Sequence, residues 1–297
     1  MINTEKNAAY IDSFWNYNKP DESEKKFREL LFSTDIKQLP DTHIQVLTQI
    51  ARAQGLQRKF DDSHSTLDLV SNLITDDTKT ALIRYHLERG RAFNSSGKTE
   101  KSKSHFLQAY KLAVKQNQDF YAIDAAHMLG IVEDADKALI WNEIAIHLAE
   151  DSKDKRSKKW LGSLYNNTGW TYHDKQNYEK ALEFFEKNVD WHSEMSKDNK
   201  KSDGYYIAKW TVARVMRSME RVQEAYKMQC ELLDEKKHNN VEPSGYESEE
   251  IGECLLLMNK KNESKKYFAD AYASLSKDIW LQANEKERLD RILSLSK

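Results

Sequence analysis

The chain has 297 residues, 46 Lys and Arg against 48 Asp and Glu, 39% hydrophobic residues, and only 9 Gly and 3 Pro. Sandwiches and barrels need turn residues at short intervals, and doubly wound sheets need glycine at strand-to-helix turns, so this sparse punctuation excludes both and predicts an all-α fold. A net charge of −2 gives no global field toward nucleic acid or an anionic membrane, and two cysteines are too few for a disulfide framework or a structural zinc site.

A rhythm of small residues runs along the chain: a small residue, a second one 12 positions on, and a third small or apolar one 7 further. The first 40 residues carry a degenerate version, with Ile11, Ser23, Phe27 and Leu30 in corresponding places, and read as an N-terminal capping hairpin. Six clearer copies span 41–277: Ala51/Ser63/Val70, Gly90/Ser102/Ala109, Ala126/Ala138/Ala145, Gly169/Ala181/Asn188, Ala213/Ala225/Leu232 and Gly252/Ser264/Ala271. Their first members, the anchors, are 39, 36, 43, 44 and 39 residues apart. The polar stretches Asp151 to Lys159 and Asp234 to Ser244 read as solvated loops between repeats and are expected to account for the two longest intervals. Residues 278–297 read as one amphipathic capping helix bearing Ile279, Trp280, Leu289, Ile292 and Leu293. Pro20, Pro40 and Pro243 all fall between helices in this scheme, and the repeats run unbroken as one continuous domain.

The fourth copy carries the fullest pattern, with Tyr165, Gly169, Tyr172, Tyr178, Ala181 and Phe185 on two amphipathic helices joined through Lys175, Gln176 and Asn177. It resembles the tetratricopeptide repeat (TPR) and departs from it at Asn188, where that family usually has alanine. The resemblance implies a right-handed superhelical solenoid of helix hairpins, with first helices lining a concave face. Its lengthened repeats are similar to those of bacterial peptide-sensing TPR proteins and kinesin light chains. What it implies functionally is a non-enzymatic scaffold or adaptor that binds a protein or an extended peptide. The alternative is a sensor of a signalling peptide or small ligand whose curvature changes on binding.

Relative to each anchor, positions three and two before, one after and four after lie on one helical face. The position after the anchor holds Arg52, Arg91, His127, Trp170, Arg214 and Glu253. With Asp124, Asn166, Asn167, His173, Trp210 and Arg217, the first five of these residues form the candidate concave-face site. Amide side chains can pair with a peptide backbone, arginine with an acidic or carboxylate group, and tryptophan supplies apolar area. Glu249, Glu250 and Glu253 add an acidic end. The carboxylate clamp of chaperone-binding TPR domains is not matched beyond Asn167. The residues before His43 leave no room for a helix-turn-helix with a basic recognition helix, so a DNA-binding regulator is not expected.

No catalytic constellation, cofactor or metal is expected. Glu143 and His147 are spaced as a helical pair without a third ligand, and His173 with Asp174 lacks a nucleophile nominated by its sequence context. The N-terminus has no basic run and apolar stretch of a leader, and no segment approaches a membrane span, which predicts a cytoplasmic protein. Seven Trp and 14 Tyr leave aromatic surface through which an oligomer could form.

Overall fold

The computed structural model describes residues 8–35, 37–196 and 201–297. Among the described residues there are sixteen α-helices and no strand, and no helix is long and apolar enough to cross a membrane. They fall into two compact units, Met1–Trp160 and Leu161–Lys297, although the repeat pattern itself runs unbroken. A one-turn 3-10 segment, Ser157–Trp160, formed by the end of the polar stretch, closes the first unit.

In the first unit α1 (Ala8–Asp12) and α2 (Pro20–Phe32) precede three hairpins: α3 (Pro40–Leu56) with α4 (Phe60–Leu73), α5 (Lys79–Ser95) with α6 (Thr99–Lys115), and α7 (Asp119–Val132) with α8 (Ala135–Asp151). Pro20 and Pro40 occupy the first helical position of α2 and α3, where the missing N–H has no partner to lose. The second unit holds α9 (Leu161–Asp174) with α10 (Tyr178–Met195), α11 (Asp203–Ser218) with α12 (Val222–His238), α13 (Tyr246–Leu257) with α14 (Lys261–Leu275), then α15 (Ile279–Asn284) and α16 (Lys286–Leu295). The C-terminal segment is therefore two short helices broken at Glu285, not one. Asp234 to Ser244 is half helical, since α12 runs to His238. It lies in a 39-residue interval. The 44-residue interval instead contains the 18-residue α10.

All eighteen residues of the six-copy rhythm are buried. Small residues are needed at the glycine anchors and at Ala51 because a bulky side chain of the second helix, sixteen positions on, packs against them. Leu67, Phe106, Asn142, Phe185, Gln229 and Phe268 hold that place, none more than 1% exposed. A Cβ added to Gly90, Gly169 or Gly252 would meet the ring of Phe106, Phe185 or Phe268 at 2.5, 2.4 and 2.9 Å. The third residue of the fourth copy, Asn188, is buried with its Oδ1 unpartnered, a polar group where the family pattern has a methyl.

The hairpin turns explain the low glycine content. In five of the six hairpins one residue adopts a left-handed φ: Arg58, Gly97, Gln176, Glu220 and Asn259. The next residue's N–H then donates to a carbonyl five residues back, as in Lys59 to Gln54 (3.0 Å) and Asn177 to Tyr172 (2.9 Å). This closure satisfies an end carbonyl of the first helix and tolerates a side chain at a cost of about 1–2 kcal/mol.

Candidate functional site

In the first unit the first helices α3, α5 and α7 present Arg52, Arg91, Asp124 and His127 on the face chosen by the offsets. The arginines already have carboxylate partners within the chain. Glu88, two before its anchor, lies 3.4 Å from Arg52 Nη1 and accepts from Arg91 Nη1 at 2.8 Å. Arg91 also pairs with Asp124 of the next repeat. Burial works to raise the Asp124 pKa, but the charges of Arg91 and Arg52 outweigh it and hold its carboxyl below the ordinary value. Arg84, one turn before Glu88 on α5, is buried on Asp12 and donates to Gln45 Oε1 and Tyr121 Oη, each at 3.1 Å. Arg52 also lies over the stacked rings of Trp15 and Tyr17, 5.6 and 5.3 Å from their centroids. His127 stands where an arginine would continue the series. Burial pushes its pKa down to about 4, and its neutral ring lies 5.1 Å from Trp160.

The second unit repeats this ladder at its far end. Arg214 and Arg217 converge on Glu250, at 3.1 and 2.6 Å. Arg288 of α16 pairs with Glu249 through Nε at 2.8 Å, and Arg291 pairs with Glu253. The acidic end expected from sequence is therefore neutralised, Glu250 by α11 and Glu249 and Glu253 by the C-terminal helix.

Between α9 and α11 the ladder lapses. Trp170 occupies the arginine position and Thr211 the acidic one; the rings of Trp170 and Trp210 lie 6.1 Å apart, and Trp210 Nε1 donates to the Tyr246 carbonyl at 3.2 Å. One turn before Trp170, the Asn166 Oδ1 is buried with no hydrogen-bond partner, beside half-buried Asn167. Asn166, Trp170, His173, Trp210, Arg214 and Arg217 thus gather around α9 and α11, whereas Arg52, Arg91, Asp124 and His127 belong to the first unit.

Sequence context did not nominate Ser218, the last residue of α11. Its Oγ accepts from Arg214 Nη1 at 2.7 Å and lies 2.9 Å from His173 Nε2, while His173 Nδ1 is 3.6 Å from Asp174 Oδ1. Burial and the nearby Arg214 charge lower the His173 pKa, which suits a neutral ring accepting the serine proton. The atoms follow the order of a Ser–His–Asp relay, but two features set them apart. The Asp174 side chain is 77% exposed and beyond hydrogen-bond reach, and Ser218 Oγ is already bonded to the Arg214 guanidinium. The trio reads as a brace between α9 and α11. Glu143 and His147 are an exposed pair 3.8 Å apart. Among the described residues no three His, Cys, Asp or Glu side chains gather as a metal site would require. Cys254 is fully buried, with burial pushing its thiol up to about 12.

Residues 162–191 match the family model of the tetratricopeptide repeat, and none of the curated proteins matches the sequence. Among solved structures, RapI in its apo form has a TM-score of 0.70 at 9% identity, the match covering 91% of this chain and 75% of that one. NprR in complex with its cognate peptide NprX has a TM-score of 0.56 at 13% identity, covering 99% and 83%. A signal transduction ATPase with a tetratricopeptide repeat sensor from Pyrococcus horikoshii has a TM-score of 0.66 at 12% identity; the match covers 92% of this chain and 41% of that larger protein. The chain thus has the tetratricopeptide-repeat fold, all-α with lengthened helix hairpins in each unit.

Proposed function

We propose that the chain recognises an extended peptide, free or within a protein, along the first-helix face of the second unit, and that binding rather than turnover is its role. The observation that carries this reading is the lapse in the ladder at α9 and α11. Every arginine of the candidate site is matched by an internal carboxylate, whereas Asn166, one turn before Trp170, keeps a buried carbonyl oxygen without a donor. A buried acceptor left unpaired costs roughly 1–3 kcal/mol, and a peptide N–H would recover that once the Asn166 side chain turns outward. Asn167 next to it offers further amide groups, and Trp170 and Trp210 offer apolar area to the side chains. NprR, which shares the fold and holds its cognate peptide, supports the ligand class.

The internal pairing also alters the chemistry expected of the partner. Arginines held by Glu88, Asp124 and Glu250 would have to exchange those carboxylates for one on the ligand, a trade with little net gain. Backbone recognition by amides is therefore assigned the larger part of the affinity. To test this, peptides are selected from a random library against the wild-type chain and remeasured on two variants. An Asn166→Ala/Trp170→Ala double variant is expected to weaken them at least about tenfold, roughly 1.4 kcal/mol. Arg52→Ala, in the first unit, is expected to change them less than about twofold. Equal binding to wild type and the double variant would remove the assignment.

A further inference from the structure

A cavity of about 430 Å³ opens in the second unit where the N-terminal halves of α11 and α13 meet the end of α12. Its apolar wall is formed by Tyr206, Ile207, Trp210, Val241 and Tyr246. That volume falls in the range of ligand pockets, which are mostly apolar with a few placed polar groups. The wall is held in position from behind. Trp210 is tied to the Tyr246 carbonyl, Asn239 Nδ2 donates to Tyr206 Oη at 2.9 Å, and the Val241 N–H closes the α12 turn on the Lys236 carbonyl at 2.8 Å. Ile207, in contrast, is 55% exposed, a branched apolar side chain left in water.

Four charged residues line the cavity, and they are not equivalent. Lys236 and Glu247 are buried against each other, and Glu247 also accepts from the Ser244 N–H and Oγ at 3.1 and 2.8 Å, so this pair is internally satisfied. Asp203 and Glu242 are exposed and have no ion-pair partner among the described residues. With the ladder arginines neutralised, the uncompensated charge at this cavity is negative, and a carboxylate ligand would be repelled from its mouth.

Resting on the peptide reading above, we propose that this cavity receives one large apolar side chain, aromatic or branched aliphatic, of a peptide whose adjacent residues are basic. The side chain covers Ile207 and Trp210, and the neighbouring Lys or Arg reach Asp203 and Glu242. A buried anchor supplies affinity, and the charged rim supplies selectivity and salt dependence.

The probes are three labelled nonapeptides that differ only at their centre: Trp flanked by lysines, Trp flanked by glutamates, and Ala flanked by lysines. Binding is read by fluorescence anisotropy on the full chain. The first is expected to bind at least about tenfold more tightly than either of the others. Asp203→Asn/Glu242→Gln, at two exposed positions, is expected to weaken the first peptide about five- to tenfold and to abolish its advantage over the glutamate version. Ile207→Ser should weaken both tryptophan peptides. Tighter binding of the glutamate peptide, or a lysine preference unchanged in the double variant, would overturn the proposal. If Asn166→Ala/Trp170→Ala abolishes binding while the rim variant leaves it intact, the cavity assignment falls and the peptide face stands. The reverse result keeps the cavity and removes the α9 assignment.

Discussion

At the residue scale, the anchor positions are governed by steric exclusion. Gly169 lies within a helix, where replacement by alanine would ordinarily stabilise by about 1 kcal/mol. Here the new Cβ would stand 2.4 Å from Phe185 Cε1, and the ring, 0% exposed, has nowhere to retreat. Overpacking of this kind costs about 1–3 kcal/mol, so it wins over propensity. Gly169→Ala is accordingly expected to lower stability in urea unfolding by about 1–2 kcal/mol, and Phe185→Leu in the same chain should recover part of the loss. A stabilised Gly169→Ala chain would show that the two helices can separate without penalty. The small residues were legible in the sequence because their spacing repeats. Their partners sixteen positions on were equally visible as Leu67, Phe106, Phe185 and Phe268, but Asn142 and Gln229 break that series with polar side chains. Both are buried, and Asn142 leaves its amide oxygen and nitrogen without partners. Nothing in its local sequence signals that burial.

At the scale of elements, helices are joined by side-chain pairs that no single-helix pattern reveals. Which face of α3, α5 or α11 carries the arginines followed from helical offsets. That these arginines are consumed by carboxylates of neighbouring helices did not, because their meeting depends on the register between successive hairpins. The signal was present in the spacing, since Arg52 precedes Glu88 by 36 residues, and Arg91 and Arg217 precede Asp124 and Glu250 by 33. A second hidden pair joins α5 to α6: His86 Nδ1 lies 3.0 Å from His105 Nδ1, with Tyr85 and Phe93 around them, and Arg89 beside His64 and Asp68 close by. Two nitrogens at that distance can share one proton and not two. Burial and then the partner ring push His86 down to about 4, and burial and then Arg89 lower His105. A base held below its ordinary pKa in the folded state favours folding in full above about pH 6.5, its unfolded value. That contribution is lost as the pH falls from there toward about 4, at up to about 1.4 kcal/mol per pH unit for His86. His86→Gln should therefore flatten the fall in urea midpoint between neutral and mildly acidic pH relative to wild type. Parallel pH profiles for the two chains would show that the pair does not set the acid limb.

At the scale of the whole molecule, the solenoid class followed from six copies of one rhythm, because in a repeat array each hairpin buries its apolar face against its neighbours. The division at Trp160 and Leu161 was not legible, because the rhythm passes through it unchanged. Only residues 152–156 and the 3-10 turn that follows them interrupt the helices there. Stability in such arrays is approximately a sum of local and nearest-neighbour contributions, so two compact units need not unfold together. Each has a sensitive point of its own. In the first, Glu88 is 3% exposed and balances Arg52 and Arg91, so Glu88→Ala leaves two guanidinium groups short of a buried counter-charge at a cost of about 3–5 kcal/mol. In the second, Gly169→Ala acts through Phe185 alone. Urea unfolding is expected to show two transitions, which single-tryptophan versions retaining Trp141 or Trp191 can report separately. Glu88→Ala should then move only the Trp141 transition, and Gly169→Ala only the Trp191 transition. If either substitution shifts both reporters equally, the units form one cooperative body, and the break in the helices at Ser157–Trp160 carries no thermodynamic boundary.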